Sequence, residues 1–131
     1  MTGSECPKAM LICDDEPDLV SELADFFSAF GWSTITSRSY GDAIAVLTGD
    51  RAVSCLLTDR AMPGGSGDDL IAFALGLAVK QRPKVLALMT GVPDLRSKDG
   101  EQLADLVVVK PFDPASLQEQ LALMLHHNDC E

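Results

Sequence analysis

The sequence predicts an α/β domain of the doubly wound kind, with five parallel strands covered by helices on both faces. Three observations predict it. Short apolar runs alternate with longer amphipathic ones along the 131 residues. The short runs are solidly apolar rather than strictly alternating, as strands buried on both faces are. Polar residues able to do chemistry fall at the ends of those runs, and open parallel sheets hold their ligands at the carboxyl ends of the strands, at a topological switch point.

Met10 to Cys13 is a continuous apolar run too short for a helix, and it ends at Asp14-Asp15. Pro17 then opens a helix as a first-turn proline, with Leu19, Leu23, Phe26, Phe27 and Phe30 at helical spacing, and Gly31 stops it. Ser33 to Ser37 is rich in serine and threonine and reads as an edge or near-edge strand. A short helix follows from about Tyr40 to Thr48, turning Ala43, Ile44 and Leu47 inward and ending before Gly49.

Val53 to Thr58 forms a buried strand leading into Asp59, after which prolyl and glycyl clusters make a loop through Gly67. Asp68 or Asp69 is placed to cap a third helix, whose apolar face holds Leu70, Ile71, Phe73, Ala74, Leu77 and Ala78. Pro83 separates it from the strand Val85 to Met89. Leu106 to Val109 is the last strand, and Asp113-Pro114 starts a final helix with Leu117, Leu121, Met124 and Leu125 inside. Between Thr90 and Leu106 the pattern weakens: Gly100 sits mid-segment, costing about 1 kcal/mol in a helix relative to alanine. A fourth helix there is expected to be short or frayed.

Length and composition bound the function. The chain is one domain with one sizeable core, and 47% hydrophobic with 23% charged residues is the balance of a globular protein. A formal net charge of −10 argues against nucleic acid as a direct partner. No apolar stretch is long enough for a bilayer span or a leader, so no membrane partner and a cytoplasmic location are expected. Cys13 and Cys55 fall in predicted strands, Cys6 and Cys130 in the tails, and none has metal-ligand spacing. His126 and His127 are neighbours on a helix and do not face each other, which argues against a metal there.

Four pieces then fall at strand ends in one order: Asp14-Asp15; Asp59 opening Asp-Arg-Ala-Met-Pro-Gly-Gly-Ser-Gly; Thr90-Gly91; and Lys110-Pro111-Phe112. Three carboxylates gathered there repel by about 4 kcal/mol per pair at 4 Å for an effective dielectric near 20. A hard divalent cation offsets this, and the donor set suits magnesium. Asp59 is then suited to attack a phosphoryl group in line, while Thr90 and Lys110 bind its oxygens and Gly91 leaves the approach open. Separately, Asp14-Asp15 also reads as a helix cap, and Thr90-Gly91 as any turn. Asp59 with Met62, Pro63 and Gly67 at their spacing is the strongest single piece.

These residues resemble the receiver domain of two-component response regulators, single-domain chemotaxis-type receivers among them. The resemblance covers residues 8 to 126, leaving tails at 1–7 and 127–131. It implies a flavodoxin-like (βα)5 fold, magnesium dependence, and phosphorylation of Asp59 by a histidine kinase or a histidine phosphotransfer protein. It assigns Asp15 as a direct metal ligand, Asp14 as one acting mainly through water, and Asp59 as ligand and phosphoacceptor. The Ala61 carbonyl would be a further ligand, Thr90 the switch hydroxyl and Lys110 the phosphate-binding lysine, with a cis Lys110-Pro111 bond.

Departures from the family pattern also carry expectations. Val107 stands where the family usually has an aromatic switch residue, so readout through rearrangement of Gly91 to Asp105 is expected in its place. Ala61 and Val92 occupy positions that influence acyl-phosphate lifetime, and neither can position a water, which implies slow self-dephosphorylation. Arg60 reads as a solvated side chain in preference to a contact with the phosphoryl group or with an acidic partner.

Nothing after the final helix reads as a DNA-binding element, so a stand-alone switch or relay signalling to a downstream protein is the leading reading, with dimerisation on phosphorylation left open. It would accept phosphate without being a turnover enzyme. Two alternatives stand beside it: a receiver-fold binding module that works independently of phosphorylation, and an aspartyl-phosphate phosphatase. The phosphatase is disfavoured by Ala61, where a general acid would stand, and by the lack of room for a cap.

Overall fold

The computed structural model describes residues 8–91 and 103–129. Strand β1 (Ala9–Cys13) carries no polar side chain because it is buried from both sides: Met10 and Ile12 enter one apolar cluster, Leu11 and Cys13 the other. Burial pushes the Cys13 thiol up to about 12 and raises that of Cys55 as well, so both are inert core groups.

Helix α1 (Pro17–Ser28) begins at its proline and buries Val20, Leu23 and Phe27. Leu19 and Phe26 are half-buried, whereas Phe30 is exposed, contrary to the expected five-residue face. The helix ends at Ser28, so helical spacing no longer places Phe30, and Gly31 turns the chain with φ 91°. Trp32 is buried against Phe27, and its indole N–H donates to Gln118 Oε1 at 2.7 Å.

Next come β2 (Ser33–Ser37), α2 (Tyr40–Leu47) capped by the Ser39 hydroxyl on the Asp42 N–H, and β3 (Cys55–Asp59). The stretch after Asp59 is not simply a loop. It folds as a small antiparallel hairpin, β4 (Ala61–Met62) with β5 (Gly65–Ser66), turning through Pro63 and Gly64.

Helix α3 (Gly67–Leu75) therefore starts early enough for Ser66, not Asp68 or Asp69, to be its cap, accepting from the Asp69 N–H at 3.0 Å. The two aspartates lie in its first turn, where the helix dipole favours negative charge. The helix also stops at Leu75, which leaves Ala78 exposed rather than on an inward face.

Strand β6 (Val85–Thr90) is buried throughout, β7 (Leu106–Val109) is half-buried to exposed, and α4 (Pro114–Asp129) buries Leu117, Leu121 and Leu125. The expected fourth helix lies almost wholly outside the described residues, as does Val92. So do Cys6, Cys130 and the side chains of His126 and His127.

The five long strands form one parallel sheet in the order β2-β1-β3-β6-β7. Side chains from α1 and α4 make one apolar cluster with the sheet, and those from α2 and α3 make the other. This is the doubly wound, flavodoxin-like architecture, with β2 at an edge. The chain moves one way from β1 to β2 and the other way from β3 onward, so the switch point lies between β1 and β3. Asp14 follows the first of these strands, and Asp59 ends the second. Among the described residues, no helix is long and apolar enough to cross a membrane.

Candidate functional site

Parallel pairing brings four strand ends to one edge of the sheet. Asp59 pairs with Met89, Thr90 lies one residue further along β6 opposite Val109, and Lys110 follows at the end of β7. The Lys110 N–H donates to the Thr90 carbonyl at 2.8 Å and the Arg60 N–H to the Met89 carbonyl at 3.0 Å, which continues the ladder past the strands. Backbone pairing thus reaches the tips of β3, β6 and β7.

At this edge one carboxylate oxygen from each of Asp14, Asp15 and Asp59 can lie within 4.8 Å of the other two. Asp14 is fully buried, Asp59 is partly buried and Asp15 is exposed. Lys110 Nζ sits between the two inner acids, donating to Asp14 Oδ2 at 2.8 Å and lying 3.1 Å from Asp59 Oδ1. One ammonium cannot balance three carboxylates. Burial raises the Asp59 carboxyl above its ordinary value and Asp14 adds to this, while the Lys110 contact offsets part of it. Burial also works against the Lys110 charge, but the bonds to Asp14 and Asp59 outweigh it, and its pKa ends up raised.

The residues fit a hard divalent cation on the chemistry of their donors. All are oxygens, the site carries an excess of negative charge, and Asp15 leaves it open to solvent. Asp14 would have less freedom as a direct ligand, since its Oδ1 accepts the Glu16 N–H at 3.0 Å and its Oδ2 accepts from Lys110. Thr90 is buried with 3% exposure at the tip of the strand next to Asp59. Ala61 opens the hairpin two residues after Asp59, Pro111 follows Lys110 through a cis peptide bond, and Val107 is half-buried opposite Leu88 in the cluster under α2 and α3.

Solved structures of the same architecture are numerous. A response regulator receiver domain from Methylobacillus flagellatus superposes with a TM-score of 0.80 at 22% identity, covering 91% of this chain and 99% of that one. One from Methanospirillum hungatei gives 0.81 at 22% identity, with 95% and 98% covered. The chain has the fold of a response regulator receiver domain. Response regulator protein TrrA from Thermotoga maritima, in complex with Mg2+-BeF, matches at 26% identity with a TM-score of 0.76, covering 89% of this chain and 98% of that one. No protein-family model and no curated sequence matches the chain.

On this receiver fold, three features escape a reading of the sequence. Arg60 is not solvated. Its side chain is 17% exposed and Nε pairs with Asp68 Oδ1 at 3.2 Å, because the hairpin brings the first turn of α3 back beside β3. Glu16 joins the site, its Oε1 3.9 Å from Lys110 Nζ, a role its place in the run Asp-Asp-Glu could have suggested. Gly67 is packed against the backbone of Asp59: a Cβ there would lie 2.1 Å from the Asp59 carbonyl oxygen.

Proposed function

We propose that this chain is a receiver that accepts a phosphoryl group on Asp59 from a phosphohistidine donor and passes the signal on by protein contact. One observation carries the reading: on a receiver fold, a partly buried carboxylate at the β1/β3 switch point shares a lysine with a fully buried carboxylate and has a third within reach. Magnesium, held by Asp15 and Asp59 with Asp14 behind them, would neutralise charge on the acids and on the phosphoryl oxygens.

In the transfer, an Asp59 carboxylate oxygen attacks phosphorus opposite the donor nitrogen. The new P–O bond forms as the P–N bond breaks, and the imidazole leaves with the bonding pair and takes up a proton from water. Lys110 already lies 3.1 Å from Asp59 Oδ1, so its ammonium needs only a small shift to contact a phosphoryl oxygen. The Thr90 hydroxyl, at the neighbouring strand tip, would donate to a second. The product is a stable acyl phosphate, so the chain is a phosphoacceptor and not a turnover enzyme.

Val107 provides no ring to report the change, and the segment 91–105 is the proposed readout. Ala61 and Val92 give slow self-dephosphorylation. The partners are a histidine kinase or phosphotransfer protein and a downstream protein target.

Acetyl phosphate with magnesium should add one phosphoryl mass to the intact protein, labile to hydroxylamine. Asp59→Asn or EDTA should abolish it. Phosphorylation that persists in Asp59→Asn, or that ignores EDTA, would refute the reading.

A further inference from the structure

The hairpin after Asp59 is gripped from outside the site. At its base, the Gly67 N–H donates to the Arg60 carbonyl at 2.7 Å and Arg60 pairs with Asp68. At its tip, the Tyr40 N–H donates to the Pro63 carbonyl at 3.0 Å. The Tyr40 ring lies flush against Gly65: a Cβ on that glycine would meet ring atoms Cγ and Cδ1 at 2.7 Å. Gly64, with φ 87°, makes the turn against the Tyr40 Cβ. Tyr40 is half-buried and packs into the cluster that includes Met62, the inward residue of the hairpin. The first residue of α2 and the loop carrying Ala61 therefore form one packed unit.

We propose that Tyr40 is a positioning residue for the cation-binding loop, and that through it α2 responds to occupancy of the site. This rests on the function proposed above. A two-residue-stranded hairpin has too little of its own to hold a shape, since isolated hairpins are marginal even when longer. Its geometry, and with it the placement of Ala61 relative to Asp59, depends on what packs against it. Tyr40 contributes a ring and a backbone donor, and the ring occupies the volume a side chain at Gly65 would need. By linkage, a contact that favours the binding geometry is itself favoured when the site is filled. Because Val107 lacks a ring, this gives the domain an aromatic contact to the site on a different element.

Tyr40 is the only tyrosine in the chain, so fluorotyrosine labelling gives a single fluorine resonance. Magnesium, then magnesium with beryllofluoride, should shift that resonance with the same midpoint as amide signals of Asp15 and Asp59. Tyr40→Ala should weaken magnesium binding about fivefold, a change of about 1 kcal/mol, and should speed amide exchange at residues 61–66 in the metal-free protein. Tyr40→Phe should restore both, because the ring remains. Gly65→Ala, which displaces the ring while keeping it, should weaken binding as Tyr40→Ala does.

A fluorine signal that ignores magnesium while the carboxylate residues respond would overturn the inference and leave the proposed function standing. So would Tyr40→Ala and Gly65→Ala variants that bind as the wild type does. A wild-type protein that binds no magnesium and accepts no phosphoryl group would overturn both.

Discussion

Two glycines near helix starts should respond to the same substitution with opposite signs. At Gly67 an added Cβ would sit 2.1 Å from the Asp59 carbonyl oxygen, 2.9 Å from its carbon and 3.1 Å from the Arg60 Cα. These are backbone atoms at the tip of a paired strand, so no side chain can swing away. Ordinary contact requires at least about 1.3 Å more separation, taken from either α3 or Asp59. Overpacking of this kind costs about 1–3 kcal/mol. For a domain of this size that lowers Tm by roughly 4–12 °C. A displacement of about 1 Å at a reacting group can also cost on the order of a hundredfold in rate.

At Gly41, in the first turn of α2, an added Cβ would meet nothing within 4 Å. Gly41→Ala should stabilise by about 0.5 kcal/mol through the unfolded state and leave phosphorylation unchanged. Thermal melts, with acetyl-phosphate labelling rates on the same samples, decide the matter. A Gly67→Ala protein that melts and labels like the wild type would refute the claim that Asp59 is placed by this contact.

If the assembled carboxylates hold magnesium as proposed and the unfolded chain does not, magnesium should raise Tm: about 2.7 kcal/mol at a hundredfold excess over Kd, an effect that Asp15→Asn should reduce and that EDTA should reverse in a calorimetric scan. The raised Lys110 pKa means the native state holds its proton more tightly than the unfolded chain. Its contribution is complete below the ordinary value of 10.5 and is lost as pH rises through the native value, so alkaline unfolding should steepen above about 10.5. Lys110→Met should lack that limb yet be about 3 kcal/mol less stable at neutral pH, with Asp14 left buried without its counterion.

For Asp59 the sign is the same, at acid pH. Its carboxyl is raised above 3.8, so ionisation costs stability as pH climbs through the native value; carbon-detected titration should give a midpoint above 3.8 that falls when magnesium is added. Gln118→Leu, which leaves the buried Trp32 N–H without its acceptor, should cost about 1–3 kcal/mol in chemical denaturation followed by tryptophan emission.

What the sequence determined by itself is the five long strands and the order of chemical groups at their ends. Runs such as Met10 to Cys13 and Val85 to Met89 are too short and too apolar to be anything but doubly buried strands. The residues that follow them must then reach one edge of a parallel sheet, which is why Asp14, Asp15, Asp59 and Lys110 could be placed together from the sequence. The cap of α3 was also within reach, since Ser66 precedes Asp69 by the capping interval.

Only the tertiary structure decided the rest, because it depends on contacts between residues that no local period relates. Arg60 meets Asp68 because a hairpin too short to show a pattern folds back between them, and Phe30 is exposed because α1 stops two residues before it. Gly67 and Tyr40 acquire their importance from what lies beside them: a carbonyl of Asp59 in one case and the backbone of Gly65 in the other. Periodicity records which side of an element is buried. It carries no record of which partner does the burying, and at this site the partners lie against Asp59 and the hairpin beside it.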